Sequence, residues 1–161
     1  MKDTHIDALA GFILANGLAA ASLRPMARAA GTSDRMLVYH FGSKAGAIEA
    51  GLTRIAERGV EALEALLPPG PRPATELMPL LEPIMRSGAF DASIAVLMEV
   101  TALSLRGDAT AATIANRIAS DFRDWLAARL TEPERATALL RDIEGWGVLR
   151  GCGLDAPFPT G

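Results

Sequence analysis

Basic and polar side chains are grouped in the segment SLRPMARAAGTSDRMLVYHFGSK, which runs from Ser22 to Lys44. Arg35 directly follows Asp34 in the middle of this segment. A guanidinium can hold guanine O6 and N7 with two hydrogen bonds, and a carboxylate can accept one from cytosine N4. An ammonium such as that of Lys44 pairs with backbone phosphate. These residue types together indicate recognition of double-stranded DNA, provided that one surface displays them.

Two short helices are predicted to display them, about Leu23–Ala30 and Asp34–Phe41, joined by a turn at Gly31. Ser22 and Ser33 stand where N-cap residues are expected. Pro25 has no N–H, so we expect Ser22 to cap the amide of Arg24 instead. The small and apolar residues predicted to pack between the helices are Met26, Ala27, Ala30, Leu37 and Phe41.

That packing leaves a polar face on the second helix, which is the face that a recognition helix needs in a major groove. Val38 on this face could contact a thymine methyl group. Tyr39, His40 and Lys44 come at the end of the helix and the start of the next one, where phosphates are expected. The predicted DNA-binding residues are Ser22, Arg24, Ser33, Asp34, Arg35, Val38, Tyr39, His40 and Lys44.

The rest of the chain repeats apolar residues every three or four positions, which predicts an all-α protein. Thr4 is expected to cap the first helix. Proline and glycine break the pattern at Pro68–Pro73, and the tail Leu154–Gly161, with two prolines, is expected at the surface or mobile. The other predicted helices are about His5–Asn16, Lys44–Leu67, Ala74–Ser87, Asp91–Arg106, Ala109–Leu130 and Pro133–Leu149.

Residues 5–52 resemble the tetracycline-repressor (TetR) family of bacterial regulators. The matching residues are Gly17, Met26–Ala27, Ala30–Gly31, Ser33, Leu37, Tyr39, His40–Phe41 and Ser43–Lys44. The chain departs from the family pattern at Val38, where the family's tyrosine usually stands, at Thr32, and at Ala45–Gly46, where an acidic pair is common. In the second half, Leu139–Leu140 followed by Ile143–Glu144–Gly145 is similar to a late helix of the family.

The resemblance implies a fold and a division of labour. A three-helix helix-turn-helix head would occupy residues 1–46, and a long fourth helix would link it to a small helical body for effector binding and dimerisation, residues 47–161. Residues of this body that could line an effector cavity are Met78, Leu81, Met85, Phe90, Met98 and Leu103, although such residues are more often plain core. Candidate dimer-interface residues are Ile118, Phe122, Trp125, Leu139, Ile143 and Trp146.

Composition and charge narrow the function classes. The net charge is −3, but residues 1–60 carry +2 and the remainder −5, which fits a polyanion partner at one end. Cys152 is the single cysteine, so no intrachain disulfide can form. We see no metal-ligand spacing, nucleotide-binding motif or catalytic constellation, and therefore expect no enzyme activity and no cofactor. The apolar runs are too short for a membrane span, which predicts a cytoplasmic protein that associates with the nucleoid when bound to DNA.

We therefore expect a homodimeric transcriptional regulator that binds a palindromic operator. The resemblance to the TetR family implies that a small-molecule effector would release it from DNA. Repression is the commoner outcome in the family. The alternative is a helical ligand-binding or interaction protein whose helix-turn-helix no longer reads DNA. The weakly basic charge of residues 1–60 and the departures from the family pattern in the helix Asp34–Phe41 favour this alternative. The sequence does not reveal the operator, the effector or the regulated genes.

Overall fold

A computed structural model describes residues 2–161, with the side chains from residue 3 onward. The described chain is helical, which confirms the all-α prediction; its strand-like feature is an isolated bridge between Arg72 and Leu130. The α-helices are α1 (Lys2–Asn16), α2 (Leu23–Ala29), α3 (Asp34–Phe41), α4 (Lys44–Leu66), α5 (Ala74–Arg86), α6 (Asp91–Leu105), α7 (Ala109–Ala128) and α8 (Ala136–Gly151).

Two helix starts differ from the sequence prediction. α1 begins at Lys2, so Thr4 lies inside the helix and the expectation that it caps α1 was wrong. The last helix is preceded by a short 3₁₀ turn, Pro133–Arg135, and α8 proper begins at Ala136. Proline is acceptable in a first turn because its missing N–H would have no partner there.

The helices form two compact units. The first contains the chain up to Gly59 together with Asp91–Ile118, and the second contains Val60–Phe90 and Ala119–Gly161. This division follows packing, and α4 and α7 each contribute to both units. The predicted functional boundary between residues 46 and 47 stays a prediction.

The first unit is built around α1, which packs against α2 and α6, while α2 packs against α3. Leu9, Ala10 and Ile13 of α1 are completely buried. Burial of a leucine or isoleucine side chain supplies about 1.5–3 kcal/mol, so Leu9 and Ile13 make α1 the central support of this unit. Other buried members of the same core are Met26, Ala27, Leu37, Ala47, Leu52, Val96, Val100 and Ile114.

The second unit is held by a polar cluster around Glu64, which we call the Glu64 clamp: Glu64, Trp125, Arg129 and Pro68. The Glu64 carboxylate accepts hydrogen bonds from Trp125 Nε1 at 2.6 Å and from Arg129 Nε at 3.0 Å. Arg129 is 6% exposed, and its Nη1 donates to the Pro68 carbonyl at 3.0 Å. A buried guanidinium needs such partners, because an unpaired charge in the interior is costly.

The C-terminal tail is mostly exposed, as predicted, but one of its side chains packs against α8. Phe158 is buried and meets the Trp146 ring edge-on, with 5.0 Å between ring centroids. Trp146 Nε1 donates to the Ala156 carbonyl at 3.2 Å, and the guanidiniums of Arg86 and Arg150 lie over the same indole. The surface position of the tail was predicted, but the burial of Phe158 was not, because no local pattern identifies the packing partner of a single aromatic ring.

Within the described residues, no single helix is long and apolar enough to cross a membrane; only α5 and α6 taken together pass on length and composition. The same part of the chain brings together no group of three or more His, Cys, Asp or Glu residues suited to a metal ion. Cys152 is a free, exposed thiol.

The Glu64 clamp generates a stability prediction. Glu64→Ala leaves the buried Arg129 guanidinium and the Trp125 N–H short of an acceptor, so we expect a loss of about 1–3 kcal/mol in the free energy of unfolding. Urea denaturation followed by Trp fluorescence measures it. Glu61→Ala is the matched control, since Glu61 is an exposed carboxylate on the same helix. Equal stability of the two variants would contradict a structural role for the clamp.

Candidate nucleic-acid interface

A tight turn sets the angle between α2 and α3. Gly31 has φ of +64°, a left-handed conformation that favours glycine. The Thr32 N–H donates to the Ala27 carbonyl at 2.9 Å, and the Gly31 N–H donates to the Arg28 carbonyl at 3.1 Å. These bonds satisfy carbonyls at the end of α2, as in a helix C-cap of the Schellman type. The predicted helix-turn-helix is therefore present.

The two predicted caps behave differently. Ser33 Oγ accepts a hydrogen bond from the Met36 N–H at 3.3 Å and so caps α3. Ser22 stands at the N-cap position of α2 with an extended backbone, but its side chain makes no capping bond. The expectation that Ser22 would cap the Arg24 amide was wrong. With proline at the third helical position, the usual donor to a serine cap is missing.

The polar face predicted for α3 is exposed. Tyr39 is 78% exposed and Val38 is 37% exposed, while Asp34 and Arg35 are also exposed. Leu37 is completely buried on the opposite side of the helix. Since a side chain buried in the protomer cannot contact a duplex, this exposure is the geometric condition that the interface needs.

His40 lies apart from this face. It is half-buried, and its ring centroid lies 5.5 Å from that of His5 on α1 and 5.3 Å from that of Tyr39. This placement makes His40 a packing contact between α3 and α1 that also supports the Tyr39 ring from one edge. Its predicted phosphate contact stays a prediction.

The first turn of α4 follows α3 after a single tight corner. Gly42 has φ of +77°, and Ser43 Oγ accepts from the Gly46 N–H at 3.0 Å, which caps α4. Glycine usually weakens a helix, but a Cβ at Gly46 would collide with the carbonyl oxygen of Phe41. The close approach of these two backbones fixes Lys44 directly beside the end of α3, in an exposed position.

Ion pairs divide the cations of the first unit into two groups. Arg54 pairs with Asp7 at 3.1 Å, and Arg58 pairs with the same carboxylate at 3.0 Å. Arg54 also pairs with Glu57 at 3.2 Å. These residues form an α1–α4 brace in which the positive charge is neutralised, so it offers little to an outside anion.

The cations of the helix-turn-helix are different. Among the side chains described between residues 3 and 59, those without an ion pair are Arg24, Arg28, Arg35 and Lys44. All four are exposed, and Asp34 is the one acidic residue of that stretch left unpaired. Within that stretch, positive charge that is free for phosphate therefore lies on α2, α3 and the start of α4, although the net charge of the whole protein is −3.

Arg28 is missing from the sequence-predicted set. It lies one turn after Arg24 on α2, and residues four apart share a helix face. That spacing was the available signal. The two guanidiniums extend the free positive charge along α2.

The residues predicted for the effector site do not come together in one unit. Met78, Leu81, Met85 and Phe90 belong to the second unit, where the first three are buried core side chains. Met98 and Leu103 belong to the first unit, and Leu103 lines a cavity there. Effector contact by these residues stays a prediction.

The residues predicted for the dimer interface are mostly turned into their own protomer. Trp125, Leu139, Ile143 and Trp146 are between 3% and 8% exposed in the single chain, while Ile118 and Phe122 are half-buried. The Phe122 and Trp125 rings stack with 5.4 Å between centroids. The opposite face of α8 is the exposed one, with Gly145, Val148 and Leu149.

Solved structures match the whole of this fold, whereas no protein-family model and no curated protein matches the chain. The multidrug binding protein EbrR, in its complex with proflavin, is 26% identical, with a TM-score of 0.69 over 99% of this chain and 92% of EbrR. A transcriptional regulator from Rhodococcus sp. Rha1 is 22% identical, with a TM-score of 0.68 over 94% of this chain and 84% of its own.

A third structure is a Rhodococcus protein assigned to the TetR family of transcriptional regulators. It is 19% identical, with a TM-score of 0.65 over 96% of this chain and 89% of its own. The chain has the TetR-family regulator fold. The resemblance seen in residues 5–52 is thereby confirmed, and the TetR fold extends through the remaining helices as well.

The two serines provide a matched test of how the TetR helix-turn-helix is held. Ser33→Ala removes the cap of α3 and should lower the free energy of unfolding by about 0.5–2 kcal/mol. Ser22→Ala, at the equivalent position of α2, removes no capping bond and should change it by less than about 0.5 kcal/mol. Thermal and urea denaturation of both variants measures this. A larger loss for Ser22→Ala than for Ser33→Ala would contradict the assignment.

Proposed function

We propose that this chain is a dimeric, ligand-responsive transcriptional regulator that binds a palindromic operator and acts at the nucleoid. The observation that carries the proposal concerns the cations described between residues 3 and 59. Those that form no ion pair all lie exposed on the helix-turn-helix and the start of α4, and they are Arg24, Arg28, Arg35 and Lys44. Cationic side chains that are not already neutralised can pair with DNA phosphates, and the release of counterions from the DNA then favours binding. The TetR fold supports the same reading.

Within this interface, α3 lies in the major groove. Arg35 reads a base edge or grips a phosphate, Val38 contacts a thymine methyl group, and Tyr39 reaches a phosphate with its hydroxyl. Asp34 at the N-terminus of α3 repels phosphate and so favours a position over a base that can donate a hydrogen bond, such as cytosine. This single carboxylate makes the surface more selective than a uniformly basic one.

The cations outside α3 set the register. Arg24 and Arg28 on α2 and Lys44 at the start of α4 contact the backbone phosphates on either side of the groove. Such contacts supply affinity and salt dependence but carry no sequence information. Arg28 joins the proposed interface because it is exposed, lacks an ion pair among the described residues and shares a helix face with Arg24.

Dimerisation supplies the second recognition helix. A two-fold axis presents the same surface twice, and a palindromic operator with half-sites about one helical turn apart matches that symmetry. For this role we propose the face of α8 around Gly145, Val148 and Leu149. This face is exposed in the single chain, whereas the predicted interface residue Trp146 is buried within it. The two glycines Gly145 and Gly151 on α8 leave room for close approach of a partner helix.

Ligand response is the remaining part of the proposal. The structure of EbrR that matches this chain is a complex with proflavin. We propose that this chain also binds a small molecule and that binding lowers its affinity for DNA, which makes it a ligand-released repressor. A ligand can do this only if it binds the DNA-free state more tightly than the DNA-bound state.

Salt-dependent DNA binding tests the proposal. Fluorescence anisotropy with the DNA upstream of the protein's own gene should give an affinity that falls steeply with salt, with about −0.9 in logarithmic slope for each neutralised phosphate. Arg28→Gln and Lys44→Gln should each reduce that slope by about one unit. Arg35→Ala should cost about 1–3 kcal/mol against the specific site if it reads a base.

Arg123→Gln is the charge-matched control, because Arg123 lies in the second unit and pairs with its neighbour Asp124. It should leave both the affinity and the slope unchanged. Variants of α2, α3 and α4 that all bind like the wild type would overturn the interface. Absence of salt-sensitive binding to any duplex would favour the alternative, in which the helix-turn-helix no longer reads DNA.

A further inference from the structure

The first unit contains a cavity of about 440 Å³, large enough for a small organic ligand. It is surrounded by the loop after α1, the start of α4, the end of α6 and the start of α7. The residues that line it are Leu18, Ser43, Lys44, Ala45, Ile48, Leu52, Val100, Leu103, Asp108, Thr110, Ala111 and Ile114.

The wall has two chemically different parts. Ile48 and Leu52 of α4, Val100 and Leu103 of α6 and Ile114 of α7 form an apolar part. Ser43, Lys44, Asp108 and Thr110 form a polar part, where α4 and α7 both begin. A ligand that matches the cavity therefore has an apolar body and one polar group.

The sign of that polar group follows from the partners already present. Asp108 Oδ1 accepts a hydrogen bond from the Ala111 N–H at 2.9 Å, and Ser43 Oγ accepts from the Gly46 N–H. Lys44, by contrast, forms no ion pair with any described side chain and is exposed. The Asp108 carboxylate caps α7, so its negative charge is offset by the partial positive charge of that helix N-terminus, whereas the N-terminus of α4 adds to the charge of Lys44. Lys44 is therefore the charged group of the lining that is left without a compensating partner among the described residues, and the complementary group is an anion.

We propose that this cavity binds an amphipathic organic anion, with its carboxylate or sulfonate on Lys44 and its apolar body among the side chains of α4, α6 and α7. Lys44 is also a phosphate contact in the proposed interface. Ligand and DNA therefore compete for the same ammonium, and this regulatory consequence rests on the proposed function. The effector would act at the edge of the DNA-binding surface, with no need to transmit a change from a distant site.

A hydrogen bond joins the cavity to the helix-turn-helix as well. The Leu18 N–H donates to Glu99 Oε2 at 2.7 Å, and Glu99 directly precedes the cavity residue Val100 on α6. Leu18 itself lines the cavity, in the loop that leads from α1 to α2. A ligand that displaces α6 would thus also shift the loop between α1 and α2 through this hydrogen bond.

Two related dyes test the binding site directly. The fluorescent anion 1-anilinonaphthalene-8-sulfonate carries the expected charge, and N-phenyl-1-naphthylamine is the same apolar body without it. In fluorescence titrations of the full chain, Lys44→Gln should weaken binding of the anionic dye about fivefold and leave the neutral dye unchanged. Arg106→Gln, which removes a nearby exposed cation outside the lining, is the matched control and should change neither.

Filling the cavity gives the second arm. Leu103→Trp should weaken both dyes at least tenfold, and Thr110→Trp, at an exposed lining position, provides the same block if Leu103→Trp misfolds by circular dichroism. Equal binding of the anionic dye to the wild type and Lys44→Gln overturns the assignment of the anion to Lys44. Unchanged binding of both dyes to a folded, filled variant overturns the site.

The competition is tested separately on DNA. Saturating anionic dye should raise the Kd of wild-type protein for the upstream DNA and have little effect on the residual binding of Lys44→Gln. DNA binding that is unaffected by saturating dye overturns the competition. If the wild type binds no duplex at all, the proposed function fails, while the dye titrations still decide whether the cavity is an anion site.

Discussion

The exposed recognition surface depends on how α3 is anchored. A helix of eight residues is marginal on its own in water, because nucleation costs more than its few hydrogen bonds return. Leu37 is the side chain of α3 that is buried completely, and it joins a core that includes Met26 and Ala27 of α2. With the Ser33 cap at one end and the Gly42 corner at the other, this contact lets the opposite face remain polar and solvent-exposed.

The same unit separates structural charge from functional charge. Arg54 and Arg58 of α4 both form ion pairs with Asp7 of α1, and these pairs hold the two helices together. Arg24, Arg28, Arg35 and Lys44 have no such partner among the described side chains, and they lie on the elements that a duplex would meet. Net charge hides this separation, because the acidic residues of the second half outweigh the free cations of the head. Pairing, more than composition, identifies the surface.

Local chemistry explains which parts of the fold could be predicted. Gly31, Ser33 and Gly42 mark helix ends through backbone rules that hold without tertiary contacts, so α3 was predicted with its observed bounds. The missing cap at Ser22 depends on where one hydroxyl points, which sequence rules did not resolve. The need for glycine at position 46 could not be predicted, because it arises from the close approach of the α4 backbone to the Phe41 carbonyl at the end of α3.

The remaining differences come from long-range packing. Phe158 packs on Trp146 from the irregular segment that follows the end of α8 at Gly151, and no local pattern predicts such a contact. On α8 the apolar stripe with Leu139, Ile143 and Trp146 is buried within the single chain, and its contact with a partner stays a prediction because a stripe alone does not distinguish a protomer core from an interface. The cavity beside Lys44 was also beyond the sequence, because its wall combines four separate segments.

Selection of bound sequences from a pool of random DNA tests the central claim, that the exposed face of α3 reads a duplex. The account predicts enrichment of a palindrome with two inverted half-sites about one helical turn apart, since each protomer would place one α3 in a major groove. Enrichment of no common sequence, with retention on the DNA no greater than that of an unrelated acidic protein, would contradict it.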